Sequence, residues 1–118
     1  MSEHNHQVAL FQWAALNVQN HPELDLLFAI PNGGARTART GAMLKAEGVR
    51  AGVPDICLPV RRHGYNALYV ELKAPGGRLQ KNQIEWQQAL CRAGNMAVTC
   101  TGWEAAKECI EQYLRWPA

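Results

Sequence analysis

Three residues of this sequence have types and spacing that could do chemistry together. Asp55 follows Pro54, Glu71 comes sixteen residues later, and Lys73 stands two positions beyond Glu71. In an extended strand successive side chains alternate sides, so Tyr69, Glu71 and Lys73 share a face opposite Leu68, Val70 and Leu72. Taken singly, an E-x-K in a strand is ordinarily a salt-bridged edge, and Pro-Asp is ordinarily a turn starter. As an ordered set, with G-V-P-D leading into one strand and E-L-K closing the next, the two carboxylates converge on adjacent strands. Hard cations such as Mg²⁺ take carboxylate, carbonyl and water oxygens and bind through one or two carboxylates. Asp55, Glu71 and the backbone carbonyl of Leu72 would supply such a shell. Lys73 on the same face would then steady an attacking hydroxide and the phosphate it approaches.

The elements that must position these residues can be read from periodicity and punctuation. Val8, Phe11, Ala15 and Val18 follow helical spacing between Ser2 and Asn20, and His21-Pro22 ends that helix. Leu24 to Ile30 reads as a short strand stopped by Pro31 to Gly34, and Thr37 to Glu47 holds a short helix closed by Gly48. Gly52 and Pro54 lead into a strand through Ile56, Leu58 and Val60, and Arg61 to Asn66 makes a hairpin-like connection to a strand from Ala67 to Lys73. A helix follows over Leu79 to Ala93, with Leu79, Trp86 and Leu90 on one stripe. Met96 to Cys100 is a strand. Thr101 and Glu104 form a capping box for a last helix, whose apolar face is Ala106, Cys109, Ile110, Tyr113 and Leu114. The order α-β-α-β-β-α-β-α predicts an α/β fold, a central mixed β-sheet flanked by helices.

The chain has 118 residues, 47% of them hydrophobic, which suits a single domain over 1-118 with one modest core. No apolar run approaches the length of a membrane span, and MSEHNHQ lacks the regions of a signal peptide, so a cytoplasmic protein is expected. Cys57, Cys91, Cys100 and Cys109 form no C-x-x-C pair and lie in apolar segments. They are expected as reduced core residues rather than disulfides or zinc ligands. Net charge is only +2, yet Pro31 to Lys81 holds nine Lys/Arg against three acids, and the remainder three against seven. Such asymmetry suits a surface that faces a polyanion, although solvated surface charge reads as well from composition alone.

Gly52-Val53-Pro54-Asp55, Val70-Glu71-Leu72-Lys73, Gly77-Arg78, and Gln83 with Trp86 together resemble the PD-(D/E)xK nuclease superfamily, and more closely its VRR-NUC branch. The likeness runs over nearly the whole chain. It implies a restriction-endonuclease-like core and a divalent-metal-dependent DNA endonuclease using Mg²⁺ or Mn²⁺. By the same likeness Asp55 and Glu71 are the metal-binding acids, Leu72 gives its carbonyl, Lys73 is the catalytic lysine and Gln83 orients the site. Glu3 resembles an acid that many members carry on the first helix, a further candidate ligand, with Gln7 one turn on. Arg78 matches a basic position near the scissile phosphate, and Arg36, Arg39 and Lys81 are further candidates for gripping DNA.

Independently of the likeness, a polar Gln83 among Leu79, Trp86 and Leu90 would be costly unless hydrogen-bonded. Pro31 to Arg36 resembles a family loop whose glycines let amides approach phosphate. His4 and His6 are expected at the surface, and His63 in a solvated turn. Stand-alone members resemble Holliday junction resolvases of bacteria and phages, which implies branched DNA as substrate, a bacterial or phage-infected host cytoplasm, and a two-fold homodimer for paired incisions. Nucleases of flaps, nicks or plain duplex, and a non-catalytic DNA-binding module, are the alternatives.

Overall fold

The strand that ends in E-L-K is the one around which the sheet is built. The computed structural model describes residues 1–31 and 38–118, with the side chains of 38–40 excepted. β1 is Phe28–Ala29, β2 is Ile56–Leu58, β3 is Leu68–Lys73 and β4 is Met96–Thr101, in the spatial order β1-β2-β3-β4. β2 runs antiparallel to both β1 and β3, with Ile56 opposite Val70 and Leu58 opposite Leu68. β4 runs parallel to β3, placing Thr99 beside Glu71 and Thr101 beside Lys73. A parallel neighbour needs a crossover, which α3, Lys81–Arg92, supplies. The result is a mixed four-stranded sheet with helices on both faces, as the element order predicts.

The two faces of β3 are covered differently. Leu68, Val70 and Leu72 meet α1, Glu3–Leu16, and α4, Trp103–Arg115, in a core that includes Leu10, Ala14, Ala106, Ile110 and Tyr113. Tyr113 is almost wholly enclosed, and its hydroxyl donates to the Val60 carbonyl at 2.6 Å, which satisfies the one polar atom it carries inward. The opposite face holds Glu71 and Lys73 beneath α3, where Gln87 Nε2 donates to Thr99 Oγ1 at 2.7 Å.

Several expectations are corrected. Pro22–Leu26 is a 3-10 turn, leaving a strand of only Phe28–Ala29, because Pro22 and the acids Glu23 and Asp25 favour a turn over extension. β2 stops at Leu58, before Pro59. α1 buries His6, Leu10 and Ala14, whereas Val8 is exposed. Apolar residues lie all around α1, so spacing alone does not choose its inner face. Helix α3 begins after Leu79 and buries none of its residues fully. Cys91, on α3, is exposed for the same reason, and Cys57 and Cys100 are buried. All four thiols are free. Among the described residues no helix is long and apolar enough to cross a membrane.

The cap of α4 is supplied from far away in sequence. Gly102 is the N-cap, with φ +84 that suits glycine, and no local side chain caps the helix. Instead, His6 Nδ1 accepts the Trp103 N–H at 3.1 Å. That bond places the proton of the neutral ring on Nε2. Not at the surface as expected, His6 is buried and ties α1 to α4. Substituting His6→Ala leaves a helix amide without its acceptor and a void beside it. The expected loss is about 2 kcal/mol of unfolding free energy, read as a lower urea midpoint with an unchanged slope.

Candidate functional site

The path to Asp55 begins at Gly52. Its φ is +94, and a Cβ there would stand 2.9 Å from Asn82 Cγ and 3.0 Å from the Asn82 carbonyl oxygen. Only glycine tolerates both the left-handed backbone and this approach to the first turn of α3. Pro54, nearly inaccessible, then sets the chain for Asp55. The Asp55 carbonyl accepts the Ile30 N–H at 2.7 Å, and its carboxylate Oδ2 accepts the Leu72 N–H at 2.8 Å. Asp55 is thus held from both sides, by the end of β1 through its backbone and by β3 through its side chain. In extended backbone a residue's N–H and C=O point to the same side, so the Leu72 carbonyl faces Asp55 as well.

Glu71 is 1% exposed and Lys73 is 6% exposed. Lys73 Nζ lies 3.8 Å from Glu71 Oε2, and Gln83 Nε2 donates to the same oxygen at 3.3 Å. Gln83 is itself held, since its Oε1 accepts the Gln80 N–H at 2.8 Å at the start of α3. The expectation that this amide finds partners is met, one of them in the candidate site. Glu71 Oε1, by contrast, is buried with no hydrogen-bond partner among the described residues. Burial is the largest cause that pushes the Glu71 carboxyl up to about 8, followed by the negative charge of Asp55. Lys73 opposes the shift, and Glu3 adds slightly to it.

A buried oxygen that lacks a donor, beside a second carboxylate, fits a divalent cation with oxygen preference. Asp55, Glu71 and the Leu72 carbonyl are the donors that would hold it. No group of three or more His, Cys, Asp or Glu side chains gathers among the described residues, so the set is a carboxylate pair rather than a cage. Glu3 opens α1 beside it. Its Oε2 lies 3.5 Å from where a Gly77 Cβ would stand, the same distance as Lys73 Cβ, and its charge reaches Glu71. Arg78 and Lys81 are exposed on the segment that follows β3. Arg36 and most of the loop from Pro31 lie outside the described residues, as does the side chain of Arg39 on α2, Ala38–Ala46.

A mixed sheet that brings an acid at one strand and E-x-K at its neighbour to one place defines a restriction-endonuclease-like core. A family model, the VRR-NUC domain, matches residues 1–104, and the chain belongs to that family, a nuclease-type domain. A solved structure described as a VRR_NUC domain protein is similar at 25% identity with a TM-score of 0.84, covering 99% of this chain and 91% of that one. No curated protein matches.

Two features of the site escape sequence reading. Arg50 lies over the Trp86 ring, 5.6 Å from its centroid, and nothing in the spacing of 50 and 86 announces the contact. Gly52 was legible as a turn residue, but its partner Asn82 becomes visible only when α3 is packed.

Proposed function

We propose that this chain is a divalent-metal-dependent DNA endonuclease, structure-selective for branched DNA. The observation that carries this reading is the buried Glu71 oxygen beside Asp55, without a partner among the described residues, at the two acid positions that the family likeness assigns. Mg²⁺ or Mn²⁺, when bound, would polarise the scissile phosphate and make water a better nucleophile at neutral pH. Asp55 and Glu71, with the Leu72 carbonyl, would hold the cation. Lys73 contributes a positive charge where the pentacovalent phosphate accumulates negative charge, and it is kept there by Glu71 and by burial that excludes competing water. Gln83 fixes the rotamer of Glu71 through Oε2. Glu3 sits outside this pair as a further acid. Arg78 and Lys81, with Arg36 and Arg39, draw the phosphate backbone toward the site.

One such site cuts one strand, so paired incisions at a junction call for a homodimer with two-fold symmetry. A panel of four-way junction, flap, nicked and plain duplex DNA, each in Mg²⁺, Mn²⁺, Ca²⁺ or chelator, tests the reading. Cleavage of the junction in Mg²⁺ or Mn²⁺, at least tenfold faster than that of duplex, is expected. Equal cleavage of plain duplex would remove the branched-DNA preference, and junction binding without cleavage would favour a non-catalytic module of the same fold.

A further inference from the structure

The protein has four tryptophans. Trp13, Trp103 and Trp116 pack against the hydrophobic core, whereas among the described residues Trp86 does not. Arg50 places its guanidinium over this ring. Trp86 also borders an open depression on α3 with Asn82, Glu85, Ala89 and Arg92. A second depression has Lys45 and Arg50 in its lining. None of Lys45, Arg50 and Arg92 makes an ion pair among the described residues. A large half-buried aromatic ring outside the core, set in a shallow surface with Lys45, Arg50 and Arg92 on the adjoining rims against the acids Glu47 and Glu85, is a poor use of tryptophan for stability. It is a good platform for a flat, anionic ligand.

The location names the ligand. Asn82, one helical turn before Trp86, touches Gly52, and Gly52 is three residues from Asp55. Gln83, which bonds Glu71, is three residues before Trp86 on the same helix. The platform is therefore built from the same loop and helix that position the candidate metal site. We infer that the Arg50–Trp86 pair binds an unpaired nucleobase of the DNA strand next to the scissile phosphate, the base stacking on the indole and Arg50 with Arg92 facing its phosphates.

This inference rests on DNA as the ligand and adds a reason for discrimination. Within duplex DNA each base is already stacked on its neighbours, so a ring can take only a base that a branch, flap or single strand leaves free. The Arg50 guanidinium, already held over the indole, presents its charge with little further ordering.

The test uses labelled single-stranded and duplex oligonucleotides of one sequence, with binding followed by fluorescence anisotropy in Ca²⁺. Trp86→Leu is expected to weaken single-strand binding about tenfold or more, the scale of one base–aromatic stack, and duplex binding less than twofold. Trp86→Phe should retain affinity within threefold, and Arg50→Gln should weaken single-strand binding and flatten its salt dependence. Ultraviolet irradiation of the wild-type complex with a strand carrying 5-iodouracil should give a crosslink at Trp86 by mass spectrometry. This last measurement decides the question if Trp86→Leu melts too low to assay. Unchanged single-strand affinity in a folded Trp86→Leu protein, or crosslinks that map elsewhere, would overturn the inference. Its failure is separable from that of the nuclease reading. Loss of cleavage in Asp55→Asn with a neutral Trp86→Leu sinks only the platform, and a Trp86 crosslink without any cleavage sinks only the nuclease.

Discussion

Asp55→Asn is expected to lower junction cleavage by 10³-fold or more while leaving the protein folded and DNA binding within about twofold. The amide keeps an oxygen for the Leu72 N–H, which the wild-type carboxylate accepts at 2.8 Å, so the strand geometry survives. What disappears is one of two anionic donors to the cation. Losing several kcal/mol of transition-state charge stabilisation corresponds to a rate loss of that size. Asp55→Ala would be a poorer probe, because it also leaves the Leu72 amide without an acceptor and mixes misfolding with lost chemistry. Lys73→Ala should fall in the range of about 10² to 10³, as removal of a single preorganised cationic or donor group does. Single-turnover assays with saturating enzyme separate these losses from weakened binding. Cleavage by Asp55→Asn within tenfold of wild type would place the chemistry elsewhere.

Glu71→Gln is expected to stabilise the metal-free protein at pH 8 while abolishing cleavage. The Glu71 carboxyl is raised from 4.5 to about 8, chiefly by burial and then by Asp55. Between those two values the native state keeps a proton that the unfolded chain has released. The stability this protonated form contributes is fully present below about pH 4.5 and is lost as pH rises through about 8. At about 1.4 kcal/mol per pKa unit, the wild type should lose on the order of 5 kcal/mol across this window. Glutamine, uncharged and of the same shape, removes that slope. Urea titrations at pH 5, 6.5 and 8 in chelator give the comparison. Mg²⁺ or Mn²⁺ at pH 8 should raise the wild-type midpoint and leave Glu71→Gln unmoved, since binding to the folded carboxylate pair stabilises only the former. A wild-type stability that is flat with pH, or equally flat in both proteins, would contradict the strained carboxylate pair.

Much of this arrangement is legible in the amino-acid order because local rules act on contiguous residues. Alternation put Glu71 and Lys73 on one face of β3, and the hairpin between Leu58 and Leu68 made their strand the partner of the one after Asp55. Punctuation by Pro22, Gly48 and Gly94 separated the elements, and the polarity of Gln83 on its helix demanded a partner. Where reading failed, the deciding interaction joined distant segments. α1 offers apolar residues on every side, and its inner face is chosen by His6, which must reach the Trp103 amide. Leu79, Trp86 and Leu90 resemble a buried stripe, yet none of them is fully buried.

By itself, then, the sequence determined the strand faces, the element order and the three polar side chains that belong together, because periodicity and the cost of burying charge are local statements. Only the tertiary structure decided that Glu71 would have an oxygen with no donor among the described residues, that Glu3 would lie beside the pair, and that Arg50 would cover Trp86. Those outcomes depend on how completely packed elements exclude water and which remote groups they bring into range, and both are set by three-dimensional closure rather than by neighbours along the chain.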